Sequence, residues 1–326
     1  MAMPGNPRRN PQQGMTLIEI MIAMTIGLLI TLAITSLFIS MRQSYQQNEA
    51  IARMQENARF ALELITQDLR HAGFFGDIAD PADIDITRAP ATAVDNCGGG
   101  INNFASASVL LNYGRQVTTP DGIAFYDDCV TTAEIAPSGS SILLVKRSVT
   151  TPPASIQTGF VYTYANGSQA QLYSPANPHS LSGGADWEYQ THLYYIDAER
   201  TLQRKYLRYS SSSQPTLVSE PLAEGIEAFH IEFGIDLDRN GTPELFYTPA
   251  DGAAADATLD NAVSATVYIL ARTQDRVSGM PGGKTYQLGR LAMGPYGDNI
   301  YRRVYAATTA LKNIRHQVML RQGVGP

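Results

Sequence analysis

A single carboxylate, Glu19, interrupts an otherwise uncharged apolar run from Leu17 to Ile39. A helix of that length can cross the roughly 30 Å hydrocarbon core of a bilayer. A charge held at such depth costs roughly 2.5–3.5 kcal/mol on insertion scales, so an acid there needs a cationic partner. The run itself offers none. A cut after Gly14 would supply one: the new α-amino group of Met15 would lie one helical turn from Glu19, in the same chain or in a neighbouring copy.

The run begins too near the N-terminus for an ordinary cleaved leader, in which small residues follow the apolar stretch; here Gly14 precedes it. The apolar helix is therefore expected to stay on the mature protein. Arg8 and Arg9 on the short side orient it with the bulk of the chain outside the cytoplasm. Beyond the membrane edge Ile51, Met54, Ala58, Ala61, Leu62, Ile65 and Leu69 recur at spacings of three and four, the stripe of an amphipathic helix with a packing face. No proline falls between Pro11 and Pro81, so one helix can run from about Met15 to His71, with Gly73 as its stop. The chain then divides into residues 1–14, a leader; 15–40, a transmembrane helix; 41–73, its amphipathic continuation; and 74–326, a globular head.

With 44% hydrophobic residues in 326, the head can bury a sizeable core. After Gly73 a loop rich in Asp, Ala, Pro and Gly (76–103) gives way to β-rich runs at 108–113, 141–148, 160–164, 191–196, 202–209, 226–235, 263–272 and 302–310. In 226–235, Ile226, Ala228, His230 and Glu232 alternate with Glu227, Phe229, Ile231 and Phe233, the pattern of a half-buried strand. Most connections are too short for crossover helices, which predicts an α+β fold: an antiparallel sheet packed on the long helix.

Cys97 and Cys129 are the two cysteines. In an oxidising compartment a bridge between them would close a loop of about 33 residues, worth roughly 3–4 kcal/mol in the chain-entropy model. Two buried thiols are the alternative; zinc is disfavoured because neither has a Cys or His at ligand spacing. The formal charge of -6 argues against nucleic acid as the main partner.

Gly14-Met15-Thr16-Leu17-Ile18-Glu19 and the apolar residues after it resemble the class III signal of type IV prepilins and type II secretion pseudopilins. Gln55 to Ala61, Asp68 to Phe74 and the Arg302-Arg303-Val304-Tyr305 region are similar to PilW-type minor pilins. The resemblance implies cleavage by the prepilin peptidase between Gly14 and Met15, N-methylation of Met15, and pairing of Glu19 with the amine of a neighbouring subunit. It implies a scaffold rather than a catalyst. Such a protein has its head in the periplasm and its helix in the inner membrane, primes pilus assembly with other minor and major pilins, and ends near the tip beside an adhesin, serving twitching motility, adhesion and DNA uptake. Met15 departs from the family's usual Phe, and Ser36 stands where many major pilins have a helix-kinking Pro. A GspJ-like minor pseudopilin of a type II secretion system is the alternative, and a membrane-tethered enzyme or adhesive module a third reading.

Asp236-Leu237-Asp238-Arg239-Asn240-Gly241-Thr242-Pro243-Glu244 resembles the start of a calcium loop, with oxygen side chains at alternate positions and Gly at the sixth. Asp236, Asp238 and Asn240 are its candidate ligands. Position twelve is Tyr247 rather than a bidentate Glu, so a turn rich in Asp and Asn between two strands is the other reading. Gly283-Lys284-Thr285 imitates a phosphate loop without its first glycine or its helix. The five basic residues between Arg302 and Arg321, free of intervening acids, read as a solvated strand and tail, with a partner or nucleic-acid surface as the alternative.

Overall fold

The computed structural model describes residues 14–78, 80, 83–90, 111–115, 130, 134–135, 139–209, 215–238, 240–248, 259, 261–277 and 282–314. Cys97 and Cys129 lie outside these, as do residues 1–13 of the expected leader. By contact the chain forms two units, Met1–Ala50 and Ile51–Pro326.

One helix, α1, runs from Leu17 to His71 and stops before Gly73, as the absence of proline and the stripe predicted. In the first unit its side chains are exposed, Leu17 by 80% and Met24 by 72%. It is long and apolar enough to cross a membrane. Its hydroxyls stay within the helix: Thr25 donates to the Met21 and Ile22 carbonyls, Thr31 to Gly27, Thr35 to Thr31 and Ser36 to Ala33. A satisfied hydroxyl removes the main cost of placing Ser or Thr in hydrocarbon, so from Leu17 to Ile39 the helix surface is apolar apart from Glu19. The helix continues unbroken through Ser36.

In the second unit the predicted stripe is the buried face: Met54, Ala58, Ala61, Leu62, Ile65 and Leu69 are in the core, with Ile51 packed at its edge. Fully burying side chains such as Ile65 and Leu69 contributes roughly 1.5–3 kcal/mol each. They share one cluster with Leu143, Val145, Tyr194 and Ile196 and with Phe229, Ile231, Val267 and Ile269.

Among the described residues the strands form three sheets. The strands of the largest are β1 (Ile84–Arg88), β2 (Leu111–Arg115), β3 (Ser141–Ser148), β4 (Val161–Ala165), β5 (Ala170–Tyr173), β6 (Ala185–Ile196), β7 (Thr201–Tyr209) and β8 (Pro215–Glu224). The order is β1-β5-β4-β6-β3-β2, with β7 on β6 and β8 on β7. The long strand β6 pairs β3 along one edge; on the other it pairs β4 with residues 185–189 and β7 with residues 192–196. A second sheet has the order β10-β9-β11-β14, from β9 (Ile226–Ile235), β10 (Leu245–Tyr247), β11 (Ala262–Arg276) and β14 (Ile300–Ala310). A hairpin of β12 (Lys284–Leu288) and β13 (Leu291–Tyr296) completes the fold. Lys284 thus opens a strand where a phosphate loop would need a helix.

The α+β expectation holds with two corrections. The sheet is not single, and β1 pairs β5 in parallel, while the other strand pairs among the described residues are antiparallel. Nor is β9 half-buried: all ten of its residues are buried. Phe229, Ile231 and Phe233 share the core cluster of the α1 stripe, while Ala228 on the other face clusters with Leu288 and Met293 of the β12–β13 hairpin. The hairpin is fastened by Glu232, whose Oε1 accepts the Arg290 backbone N–H at 2.6 Å. A register shift opposite Leu270 and Ala271 also reverses the start of the strand. Ile226 turns into the helix-side core, and Glu227 turns to Arg302 on β14, accepting its Nε–H at 3.0 Å.

Arg302 is therefore no solvated residue. It is 3% exposed, bonds both oxygens of Asp298 at 2.7 and 2.6 Å, and lies 3.8 Å from the centre of the Tyr296 ring. Arg200 and Arg272 also reach Glu227, at 3.3 and 3.4 Å. Burial, and then the charge of Glu227, push the Tyr296 hydroxyl up to about 12.

Candidate assembly site

Gly14, Met15 and Thr16 precede α1, and Met15 is 79% exposed. Glu19 sits in the first helical turn, where four backbone N–H groups have no intrahelical partner and the helix dipole favours negative charge. Its Oε2 accepts both the backbone N–H and the hydroxyl of Thr16, each at 2.9 Å, and the Thr16 hydroxyl accepts the Glu19 N–H at 3.4 Å. This is a reciprocal capping box, and the Thr-x-x-Glu spacing that builds it was present in the sequence although only the acid was singled out. Among the described residues Oε1 has no partner. Thr16 thus holds the carboxylate at the start of the helix by one oxygen and leaves the other available.

A second set of polar groups fixes α1 in the head. Asp68, on the stripe side and 4% exposed, accepts from Arg147 of β3 through Oδ1 and from His192 and Tyr194 of β6 through Oδ2. Burial alone would raise the affinity of Asp68 for a proton. The hydrogen bond and charge of His192, the charge of Arg147 and the Tyr194 hydroxyl outweigh it and hold the carboxyl well below the usual range. Sequence reading took residues 68–74 as a family resemblance and missed this role, because the partners lie 79, 124 and 126 residues away.

The Asp236 loop joins β9 to the edge strand β10. Asp236 and Asp238 come together there with Glu244, their ligand atoms within 4.8 Å of one another. Gly241, at φ 94°, takes the left-handed conformation that a Cβ disfavours, and donates its N–H to Asp236 Oδ2 at 2.7 Å. Asn240 bonds Asp238 through its N–H and Nδ2, and accepts the Thr242 N–H through Oδ1 at 2.7 Å. Glu244 was not among the candidate ligands; the alternation of oxygen side chains from 236 to 244 was the signal for it. Tyr247, at position twelve, belongs to the helix-side core.

Residues 9–35 match the family model of the prokaryotic N-terminal methylation motif, and residues 193–313 that of type IV pilus-assembly protein W, PilW. Comparison with curated proteins gives no match. Among solved structures, the type IV-like pilin TTHA1219 from Thermus thermophilus aligns at 16% identity and a TM-score of 0.25, covering 48% of this chain and 86% of that one. The methylation motif spans the site around Glu19, and the PilW match begins within β6 and takes in the whole four-stranded sheet and its covering hairpin. The chain is thus similar to PilW over residues 193–313 and to the N-terminal methylation motif over residues 9–35, and its N-terminal helix is long and apolar enough to cross a membrane.

Proposed function

We propose that this protein is a minor pilin, a structural component that helps to prime assembly of the type IV pilus and remains near its tip. The prepilin peptidase removes residues 1–14, Met15 is N-methylated, residues 15–40 stay in the inner membrane, 41–73 continue the helix, and 74–326 form a periplasmic head in which Cys97 and Cys129 are joined. The observation that carries this reading is the state of Glu19: the one charge in the exposed apolar run from Leu17 to Ile39, capped through Oε2 and, among the described residues, with Oε1 unpaired. In lipid that oxygen is stabilised by the cationic N-terminus of an adjacent subunit, so the pair penalises unregistered packing of helices. The partners are other pilins bearing the same processed amine.

The experiment is a clean deletion scored for surface pili, twitching and protein secretion, with mass spectrometry of the membrane-extracted protein. Loss of pili with secretion intact and a chain beginning at methylated Met15 is expected. Retention of residues 1–14 in the mature protein, or secretion lost with pili intact, overturns the proposal.

A further inference from the structure

The β9–β10 loop carries a feature that pilus assembly does not use. Three carboxylates, from Asp236, Asp238 and Glu244, present oxygens within 4.8 Å of one another. Among the described residues no Arg, Lys or His pairs with any of them. Two of the acids are exposed, but Asp236 is only 3% exposed, and its Oδ1 is a buried oxygen with no hydrogen-bond partner. Its other oxygen is held by the Gly241 N–H, which fixes the direction of the carboxylate. Desolvating a charged oxygen without compensation is costly, and a buried unsatisfied acceptor in a native fold calls for an ion or a water.

We infer that this loop binds one hard divalent cation of the calcium class, through Asp236, Asp238 and Glu244 with the amide oxygen of Asn240 at the intervening position. Oxygens bound to one calcium at 2.3–2.6 Å lie at most about 5 Å apart across the ion, which matches the observed convergence. An all-oxygen, carboxylate-rich set selects hard cations over zinc or copper. Position twelve is Tyr247, a core residue, in place of the bidentate acid of an EF-hand, so the affinity belongs to the roughly 10⁻⁴–10⁻³ M class of extracellular modules. The ion would tie the last residue before β10 to the first after β9. The loop already closes there, with the Glu244 N–H on the Ile235 carbonyl at 3.0 Å, and the Asp236 N–H ties it to the start of β11 through the Asn261 carbonyl at 2.9 Å.

The test uses the full chain in detergent, stripped with EGTA and titrated with CaCl₂ by calorimetry, with melting followed through Trp187, the single tryptophan. One binding event per chain is expected, with a melting temperature about 2–6 °C higher in millimolar calcium. Asp236→Asn and Asp238→Asn abolish both. Each variant melts in EGTA at or above the wild type, because it relieves repulsion among the acids. Absence of binding and of a shift in the wild type overturns the inference, as does a shift that persists undiminished in both variants.

Discussion

Arg147 on β3 grips Asp68 on α1 with two nitrogens, Nε at 2.9 Å and Nη2 at 2.8 Å, both on the same carboxylate oxygen. The other oxygen is left for His192 and Tyr194, so one helical acid joins two strands of the large sheet. Removing one partner of such a buried set leaves the rest uncompensated, at a cost of about 3–5 kcal/mol. Asp68→Ala is expected to lose that much in urea denaturation. Asp68→Asn should lose less, because an amide still accepts from Arg147. Equal stability of Asp68→Ala and the wild type would contradict the docking role.

Acid should weaken the same contact. The Asp68 carboxyl is depressed in the folded state, so its contribution is fully present above the unfolded value of about 3.9 and is lost as pH falls toward the folded one. Wild-type stability is therefore expected to decline below about pH 4 more steeply than that of Asp68→Asn. Urea midpoints across that range, measured on both proteins, give the comparison; parallel curves would refute it.

The exit from α1 offers a steric test. Gly76 has φ 81°, and a Cβ there would stand 2.3 Å from Cε3 of Trp187. Backbone strain and overpacking act together, so Gly76→Ala is expected to cost about 2–3 kcal/mol. As Trp187 is the single tryptophan and is 8% exposed, its fluorescence reports this site directly. A variant with unchanged emission and melting would count against the close approach.

In cells, Glu19→Ala should leave the protein in the membrane fraction while cutting its amount in sheared fibres by at least ~10-fold, equivalent to about 1.4 kcal/mol. Thr16→Ala removes one cap and is expected to cost the helix about 1 kcal/mol. Immunoblots of membrane and sheared fractions separate the two effects. Normal entry of Glu19→Ala into fibres would end the charge-pair account.

How far the sequence could be read followed the range of the forces involved. The span of α1, the stripe from Ile51 to Leu69, and strands β3 and β9 at their observed limits rest on local periodicity and the absence of proline, and these were legible. Strands β1, β5 and β10 are 3–5 residues long. They carry little periodic signal and gain stability from partners distant in sequence, so they were not. The acid at Glu19 announced itself because an isolated charge in an apolar run is conspicuous wherever the chain goes. Asp68, Glu227 and Arg302 looked like ordinary polar residues, since their burial depends on Arg147, His192, Arg200 and Asp298 being brought to them. The sequence alone determined the membrane-length apolar run and its one carboxylate; tertiary structure alone decided that β9 is covered on both faces and which charges meet inside. Hydrophobic periodicity is written along the chain, whereas the pairing of buried charges is set by which distant strands come to lie side by side.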